Sequence, residues 1–141
     1  MKLGWLTDIH LNFLEESGLS TFLRTLASSP VDAWLVGGDI GEADSVVGFL
    51  REMEASTEVP IYFVLGNHGF YGESLAVVEA EIEQLSERSQ NLIWLTSVGS
   101  QSLNPTVALV GDDSWADARL GDASRTQVEV NDFYLITEGY G

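Results

Sequence analysis

The residues best suited to chemistry in this sequence lie in three short motifs. The two histidines of these motifs are the only two in the chain. Each motif closes a short apolar run, and the runs follow one another at about 30 residues, the length of a strand–helix–strand unit. Carboxylate, amide and imidazole side chains that recur at strand ends predict a site for divalent metal ions. The motifs are Asp8-Ile9-His10, Gly37-Gly38-Asp39 and Gly66-Asn67-His68.

The side chains of these motifs suit different tasks in such a site. Asp8 and His10 are two residues apart, so in extended backbone they project the same way and can chelate one ion. Asp39 follows two glycines, and a carboxylate in so tight a turn can bridge two ions about 3.5–4 Å apart. Asn67 offers a neutral oxygen to a second ion. His68 can face the substrate and protonate a leaving alkoxide.

Each motif alone has an ordinary structural explanation. An aspartate at a strand end usually forms a turn or caps a helix, a single histidine usually lies at the surface or in a core, and Gly-Asn is a common turn dipeptide. The agreement of order, spacing and position at strand ends favours a functional site over these separate explanations.

Alternating strand and helix patterns position the motifs. The sequence predicts strands over Lys2–Thr7, Ala33–Val36 and Ile61–Leu65, with amphipathic helices between them and a further helix over Ser74–Arg88. This βαβαβ order predicts an α/β fold with a parallel sheet and right-handed crossovers. Ligands bind such sheets at the carboxyl ends of the strands, which is where all three motifs stand.

The remainder of the chain has a different pattern. Leu92–Leu95 and Val107–Val110 are predicted to be short strands, and Gly111–Ser124 is predicted to be a loop. Arg125–Ile136 fits a helix or a strand equally well.

Several side chains outside the motifs also carry expectations. We expect the strand tryptophans Trp5 and Trp34 to lie in the core, while Phe70 and Tyr71 fit the core or the wall of a substrate pocket equally well. The acidic residues of the late loop are expected to be solvated rather than to bind a further cation. They are Asp112, Asp113 and Asp117.

Composition narrows the class of protein. A chain of 141 residues is expected to form a single domain spanning residues 1–141. The net charge of −16 disfavours binding to a nucleic-acid backbone or an anionic membrane, although metal cations could still attract a phosphate. No segment reaches the roughly 20 apolar residues that span a bilayer. With no cysteine in the chain, we expect a cytoplasmic location.

The three motifs together resemble the Asp-x-His, Gly-Asp and Gly-Asn-His pattern of the calcineurin-like metallophosphoesterase family. The resemblance extends through Phe70-Tyr71-Gly72 and Gly111 to Trp115. It implies a pair of β-sheets sandwiched between helices, of which this chain would form the N-terminal part. It also implies two divalent ions (Mn, Fe, Zn or Co) and hydrolysis of phosphate mono- or diesters by a metal-bound hydroxide. The implied roles are Asp8 and His10 on the first ion, Asp39 bridging, Asn67 on the second ion, His68 as the catalytic residue, and Asn67 with His68 at the substrate.

One part of the family pattern is missing. The later strand-end histidine and Gly-His-x-His motif have no counterpart, because no histidine follows His68. The second ion should therefore be held less tightly than the first. We expect a domain truncated at its C-terminus whose exposed sheet face self-associates or pairs with a missing C-terminal segment.

Three functions follow from this sequence. The first is a metal-dependent phosphoesterase acting on a small-molecule phosphate ester or a phosphoprotein. The alternative is a non-catalytic metal-binding or interaction module that retains the fold. A flavodoxin-like or nucleotide-binding domain is disfavoured, because the chain lacks the glycine-rich sequences that cradle phosphates.

Overall fold

A computed structural model describes residues 1–114, 125 and 127–137 of the chain. Trp115, Asp117 and most of the predicted Gly111–Ser124 loop therefore lie outside the described residues. The predicted α/β fold is confirmed: four parallel strands alternate with helices in the first two thirds of the chain. No helix among the described residues is long and apolar enough to cross a membrane.

The main sheet has the strand order β1-β2-β3-β4, with every neighbouring pair parallel. A short helix, an antiparallel hairpin and a one-turn helix follow it. The elements are β1 (Leu3–Leu6), α1 (Glu16–Ser28), β2 (Ala33–Gly37), α2 (Val46–Ser56), β3 (Ile61–Val64), α3 (Leu75–Arg88), β4 (Leu92–Trp94), α4 (Leu95–Val98), β5 (Ser100–Asn104), β6 (Val107–Val110) and α5 (Asp132–Leu135).

The local sequence explains where these elements begin and end. Ser74 caps α3 by accepting a hydrogen bond from the Val77 N–H at 3.3 Å, which satisfies one of the open donors at the helix start. Leu95, predicted to end a strand, instead begins α4. Of the stretch whose structure the pattern left undecided, α5 takes up only Asp132–Leu135.

The larger core lies between the sheet and the three long helices. Alternate strand residues point to this face, among them Trp34 and Phe63, and they pack against α1, α2 and α3. Trp34 is 7% exposed and lies in the core, as predicted. Its indole ring covers Gly4 of β1, where an added Cβ would come within 2.4 Å of the ring. A smaller cluster around Tyr62 and Leu95 lies on the opposite face.

The prediction that Trp5 lies in the core is wrong. Trp5 is 74% exposed. Side chains alternate along a strand, so Trp5 projects from the opposite face of β1 from Gly4, the residue that Trp34 covers. The indole lines an open apolar groove of about 350 Å³ on the sheet. Other side chains of this groove are Leu35, Tyr62, Val64, Leu109 and Val110.

The prediction that Asp113 is solvated is also wrong. Asp113 is 7% exposed and accepts hydrogen bonds from the Leu65 N–H at 2.5 Å and from Trp94 Nε1 at 3.0 Å. Burial raises the pKa of the Asp113 carboxyl, although both donors oppose the shift. The carboxylate thereby joins the segment after β6 to the end of β3, where the Gly66-Asn67-His68 motif begins.

Candidate metal centre

Backbone hydrogen bonds bring the three motifs together at the carboxyl edge of the sheet. The Asp8 N–H donates to the Gly38 carbonyl at 3.1 Å, and the His10 N–H donates to the Asp39 carbonyl at 2.8 Å. The Asp39 N–H donates in turn to the Leu65 carbonyl at 2.8 Å. The loops after β1, β2 and β3 are therefore held to one another in strand order.

Three of the motif residues adopt a left-handed backbone that side chains normally avoid. The φ angles are +52° at Asp8, +41° at His10 and +53° at Asp39. Such positions cost roughly 1–3 kcal/mol each and cluster at functional sites. Here the strain turns the chain after β1 and after β2 toward a common point, where the inter-loop hydrogen bonds hold both loops.

His10, Asp39 and His68 meet at that point. One ligand atom from each lies within 4.8 Å of the other two. For comparison, the ligand atoms of a tetrahedral ion are roughly 3.4 Å apart at a metal–nitrogen distance of about 2.0–2.1 Å. The imidazole rings of His10 and His68 pack edge to face, 4.7 Å between centroids. A single ion could bind all three side chains after a small contraction.

The unsatisfied atoms of this group fit a cation. Nδ1 of His10 and Nδ1 of His68 are buried and have no hydrogen-bond partner among the described residues. Buried polar atoms without partners are rare in folded proteins. A neutral imidazole nitrogen is also a common metal ligand. Borderline nitrogen donors beside a hard carboxylate suit Mn, Fe, Zn or Co.

Asp39 is held firmly within this group. Its Oδ1 accepts a hydrogen bond from the His68 N–H at 3.2 Å. The Gly66 backbone lies so close to this carboxylate that an added Cβ would be 2.3 Å from Asp39 Oδ1. The glycine of the third motif thus leaves the space that the carboxylate of the second motif occupies.

Asp8 and Asn67 lie outside the three-residue group. Asp8 is exposed, and its carboxylate accepts a hydrogen bond from the Thr7 hydroxyl at 2.5 Å. Asn67 directs its amide nitrogen to Asp132 Oδ1 at 2.7 Å and to the Tyr71 hydroxyl at 2.9 Å. The structure therefore gathers His10, Asp39 and His68 around one point, while Asp8 and Asn67 lie in the same loops and have hydrogen-bond partners of their own.

The aromatic residues after the third motif are both buried. Phe70 is 2% exposed and belongs to the core. Tyr71 is 6% exposed, and its ring lies 4.3 Å from that of His68. Burial and the hydrogen bond to Asp132 raise the pKa of the Tyr71 hydroxyl, which therefore keeps its proton and donates a hydrogen bond to the carboxylate.

Sequence reasoning missed Asp132 at this site. It lies 65 residues beyond Asn67, in a stretch whose pattern did not distinguish helix from strand. An acidic residue there looks like any other in a chain with 22 of them. Only the tertiary fold reveals that Asp132 is 8% exposed and that its carboxylate lies beside the third motif.

The comparison with known families agrees with the geometry of this site. Residues 1–137 match the family described as calcineurin-like phosphoesterase. No curated protein and no solved structure matches the chain at a significant level. The family match spans nearly the whole chain and all three motifs. The chain belongs to the calcineurin-like phosphoesterase family.

Proposed function

We propose that this protein is a metal-dependent phosphoesterase that hydrolyses phosphate mono- or diesters at a dinuclear metal centre. The observation that carries the proposal is the pair of buried, unpartnered Nδ1 atoms of His10 and His68 beside the Asp39 carboxylate. Membership of the phosphoesterase family supplies the reaction class.

The proposed roles follow the chemistry of each side chain. Asp8 and His10 hold the first ion, Asp39 bridges, and Asn67 gives a neutral oxygen to the second ion. The ions supply Lewis-acid polarisation of the phosphoryl group and lower the pKa of an attacking water. His68 donates a proton to the leaving oxygen, and it lies with Asn67 against the substrate.

The charge of the chain bears on the substrate. With a net charge of −16, the protein repels anions over most of its surface, so local cations must attract the phosphate. We assign the substrate to small-molecule phosphate esters or phosphoproteins. A cytoplasmic location belongs to the same proposal, supported by the absence of cysteine.

A second candidate is a metal-binding module without turnover. The position of His68 favours it, because the ring lies among the ligand group and could serve as a third ligand instead of a proton donor. This candidate predicts Mn²⁺ binding with no hydrolysis of any phosphate ester.

The decisive experiment is hydrolysis of a chromogenic phosphate mono- and diester with Mn²⁺, compared between the wild type, Asp39→Asn and the chelator-treated protein. We expect the substitution and the chelator each to abolish turnover. Asp44→Asn is the matched control, because it removes the same charge from an exposed residue before α2. Turnover that survives both treatments would eliminate the metal mechanism.

A further inference from the structure

The Asp132 carboxylate is the meeting point of a small buried network beside the metal centre. Its Oδ1 accepts one hydrogen bond from Asn67 Nδ2 at 2.7 Å and another from the Tyr71 hydroxyl at 2.5 Å. Asn67 Nδ2 also donates to the Tyr71 oxygen at 2.9 Å, which closes the triangle. Such closed networks fix the orientation of every member when all its donors are paired.

An ionised carboxylate fixes the orientation of the Asn67 amide. It only accepts hydrogen bonds, so the NH₂ group of Asn67 must face it. The amide is planar, and its oxygen therefore points away from Asp132. That oxygen is the atom that would bind a metal ion. Without Asp132, the amide could rotate and present NH₂ donors, which cannot bind a cation.

The same carboxylate acts on His68 through Tyr71. The Tyr71 hydroxyl donates a hydrogen bond to Asp132, and the Tyr71 ring lies 4.3 Å from the His68 ring. Asn67 precedes His68 directly in the chain. Asp132 thus holds two residues next to the proposed proton donor His68. Asn67 is its neighbour in the chain, and Tyr71 is its neighbour in space.

A firmly docked segment delivers Asp132 to this position. The Gly72 N–H donates to the Leu135 carbonyl at 2.7 Å, and the Thr137 N–H donates to the Glu73 carbonyl at 3.2 Å. Ile136 is 2% exposed and belongs to the main core cluster. The segment around α5 is therefore tied to the loop that follows the third motif.

We infer that Asp132 is a positioning residue of the metal centre. It aims the Asn67 oxygen at the second ion and holds Tyr71 against His68. The inference rests on the proposed function for its metal-binding consequence, while the hydrogen-bond network can be tested without any metal.

The experiment compares the wild type with Asp132→Asn and Ile136→Val. Asp132→Asn preserves size, removes the negative charge and replaces one acceptor oxygen by an NH₂ donor, so either orientation of the Asn67 amide can be hydrogen-bonded and neither is imposed. Ile136→Val loosens the packing of the same segment and leaves the carboxylate in place, so it controls for a merely structural role. Each protein is titrated with Mn²⁺, its thermal unfolding is recorded, and the ¹H–¹⁵N resonances of the Asn67 side chain are measured without metal.

We expect Asp132→Asn to weaken Mn²⁺ binding at the weaker site by about tenfold or more, the usual effect of losing a partner of a metal ligand. The Asn67 side-chain resonances should shift in the metal-free variant, because the amide then samples both orientations. Ile136→Val should lower the unfolding temperature and change neither readout. A lower turnover number with an unchanged KM would accompany the loss of His68 orientation.

Two results separate this inference from the proposed function. A wild type that binds no Mn²⁺ overturns the proposed function, and the metal-free resonances still decide whether Asp132 orients Asn67. Unchanged Asn67 resonances in Asp132→Asn overturn the inference. If the wild type does bind Mn²⁺, an equal affinity in Asp132→Asn overturns the inference as well.

Discussion

Gly66 and Asp39 approach each other so closely that the glycine cannot carry a side chain. A Cβ on Gly66 would lie 2.3 Å from Asp39 Oδ1 and 2.9 Å from the Asp39 nitrogen. Gly66 also has a φ of +70°, which other residues rarely adopt. The glycine of the third motif is therefore part of the geometry of the proposed metal centre.

Gly66→Ala should damage the metal centre as well as the fold. The positive φ alone costs about 1–2 kcal/mol in the free energy of unfolding. The displaced carboxylate should weaken Mn²⁺ binding by roughly 10–100-fold, the range found when a ligand loses its orientation. Urea denaturation and Mn²⁺ titration measure the two effects separately.

Gly99→Ala is the control for the backbone term. Gly99 has a φ of +69°, and nothing lies within 4 Å of its added Cβ. It should show the loss of stability without the loss of Mn²⁺ binding. Equal Mn²⁺ affinity in the two variants would contradict the proposed contact between Gly66 and the Asp39 carboxylate.

The local order of the fold could be predicted from the sequence because its signals are local. Short apolar runs and helical patterns located β1 to β4 and the three long helices, and the motifs at the ends of these runs indicated where a site would lie. The position of the strand ends was also predictable, since parallel strands with crossovers must present their carboxyl ends at one edge.

Long-range burial could not be predicted in the same way. Trp5 and Trp34 occupy similar strand sequences, yet one is 74% and the other 7% exposed, because only one face of β1 is covered by helices. In the sequence, Asp113 and Asp132 look like ordinary acidic residues of loops. In the fold, Asp113 accepts a hydrogen bond from Leu65 at the end of β3, and Asp132 accepts one from Asn67. Leu65, a partner of Asp113, is 48 residues away, and Asn67, a partner of Asp132, is 65 residues away, beyond the reach of any local pattern.

The two histidines should separate binding from turnover. His10→Gln should weaken Mn²⁺ binding, because His10 is proposed as a ligand of the first ion. His68→Gln should lower the turnover number by about 10²–10⁴-fold at saturating Mn²⁺, with Mn²⁺ affinity nearly unchanged, because a general acid supplies a factor of that size. Isothermal titration and steady-state kinetics provide the two readouts. A tenfold loss of Mn²⁺ affinity in His68→Gln would place His68 among the ligands instead.

Asp113 should contribute more to stability than its neighbour. Asp113→Ala leaves the Leu65 N–H and Trp94 Nε1 buried without an acceptor, which should cost about 2–4 kcal/mol of unfolding free energy. Asp112→Ala is the matched control, because Asp112 is exposed and, within the described part of the chain, its carboxylate hydrogen-bonds only to Ser114 in its own turn. Its effect should stay within about 1 kcal/mol. Chemical denaturation in the presence of a chelator compares the two, and equal losses would argue against the buried acceptor role.

Titration of the Asp113 carboxyl should make the unfolding free energy depend on pH. Burial raises the pKa of its carboxyl above the ordinary value of 3.8, and the nearby Asp112 adds to the shift. The folded state therefore binds more protons than the unfolded state between these two pKa values. The stabilising contribution of the protonated Asp113 carboxyl is complete below its pKa in the unfolded state. It is lost as the pH rises through its pKa in the folded state.

Asp113→Asn isolates this effect because it removes the titrating group and keeps an acceptor oxygen. We expect the unfolding free energy of the wild type to fall relative to this variant as pH rises through that window. Denaturation series at several pH values, with chelator present, give the difference. A difference that grows in the opposite direction would show that the hydrogen bonds from Leu65 and Trp94 outweigh burial.

The exposed apolar groove around Trp5 should make the protein associate. Trp5 and Val110 are 74% and 77% exposed and line the same groove on the sheet, an arrangement that usually marks an interface. The net charge of −16 opposes self-association at low ionic strength, so association should strengthen with added salt. Trp5→Lys should reduce both association and the binding of an apolar dye, with little loss of stability, because so exposed a side chain contributes little to the core.

Val77→Lys is the control. Val77 lies on α3, is 44% exposed and is outside the groove, so the substitution should change neither association nor dye binding. Sedimentation equilibrium at two salt concentrations measures the association, and a monomer at both, with no dye bound, would refute the assignment of this face as an interface.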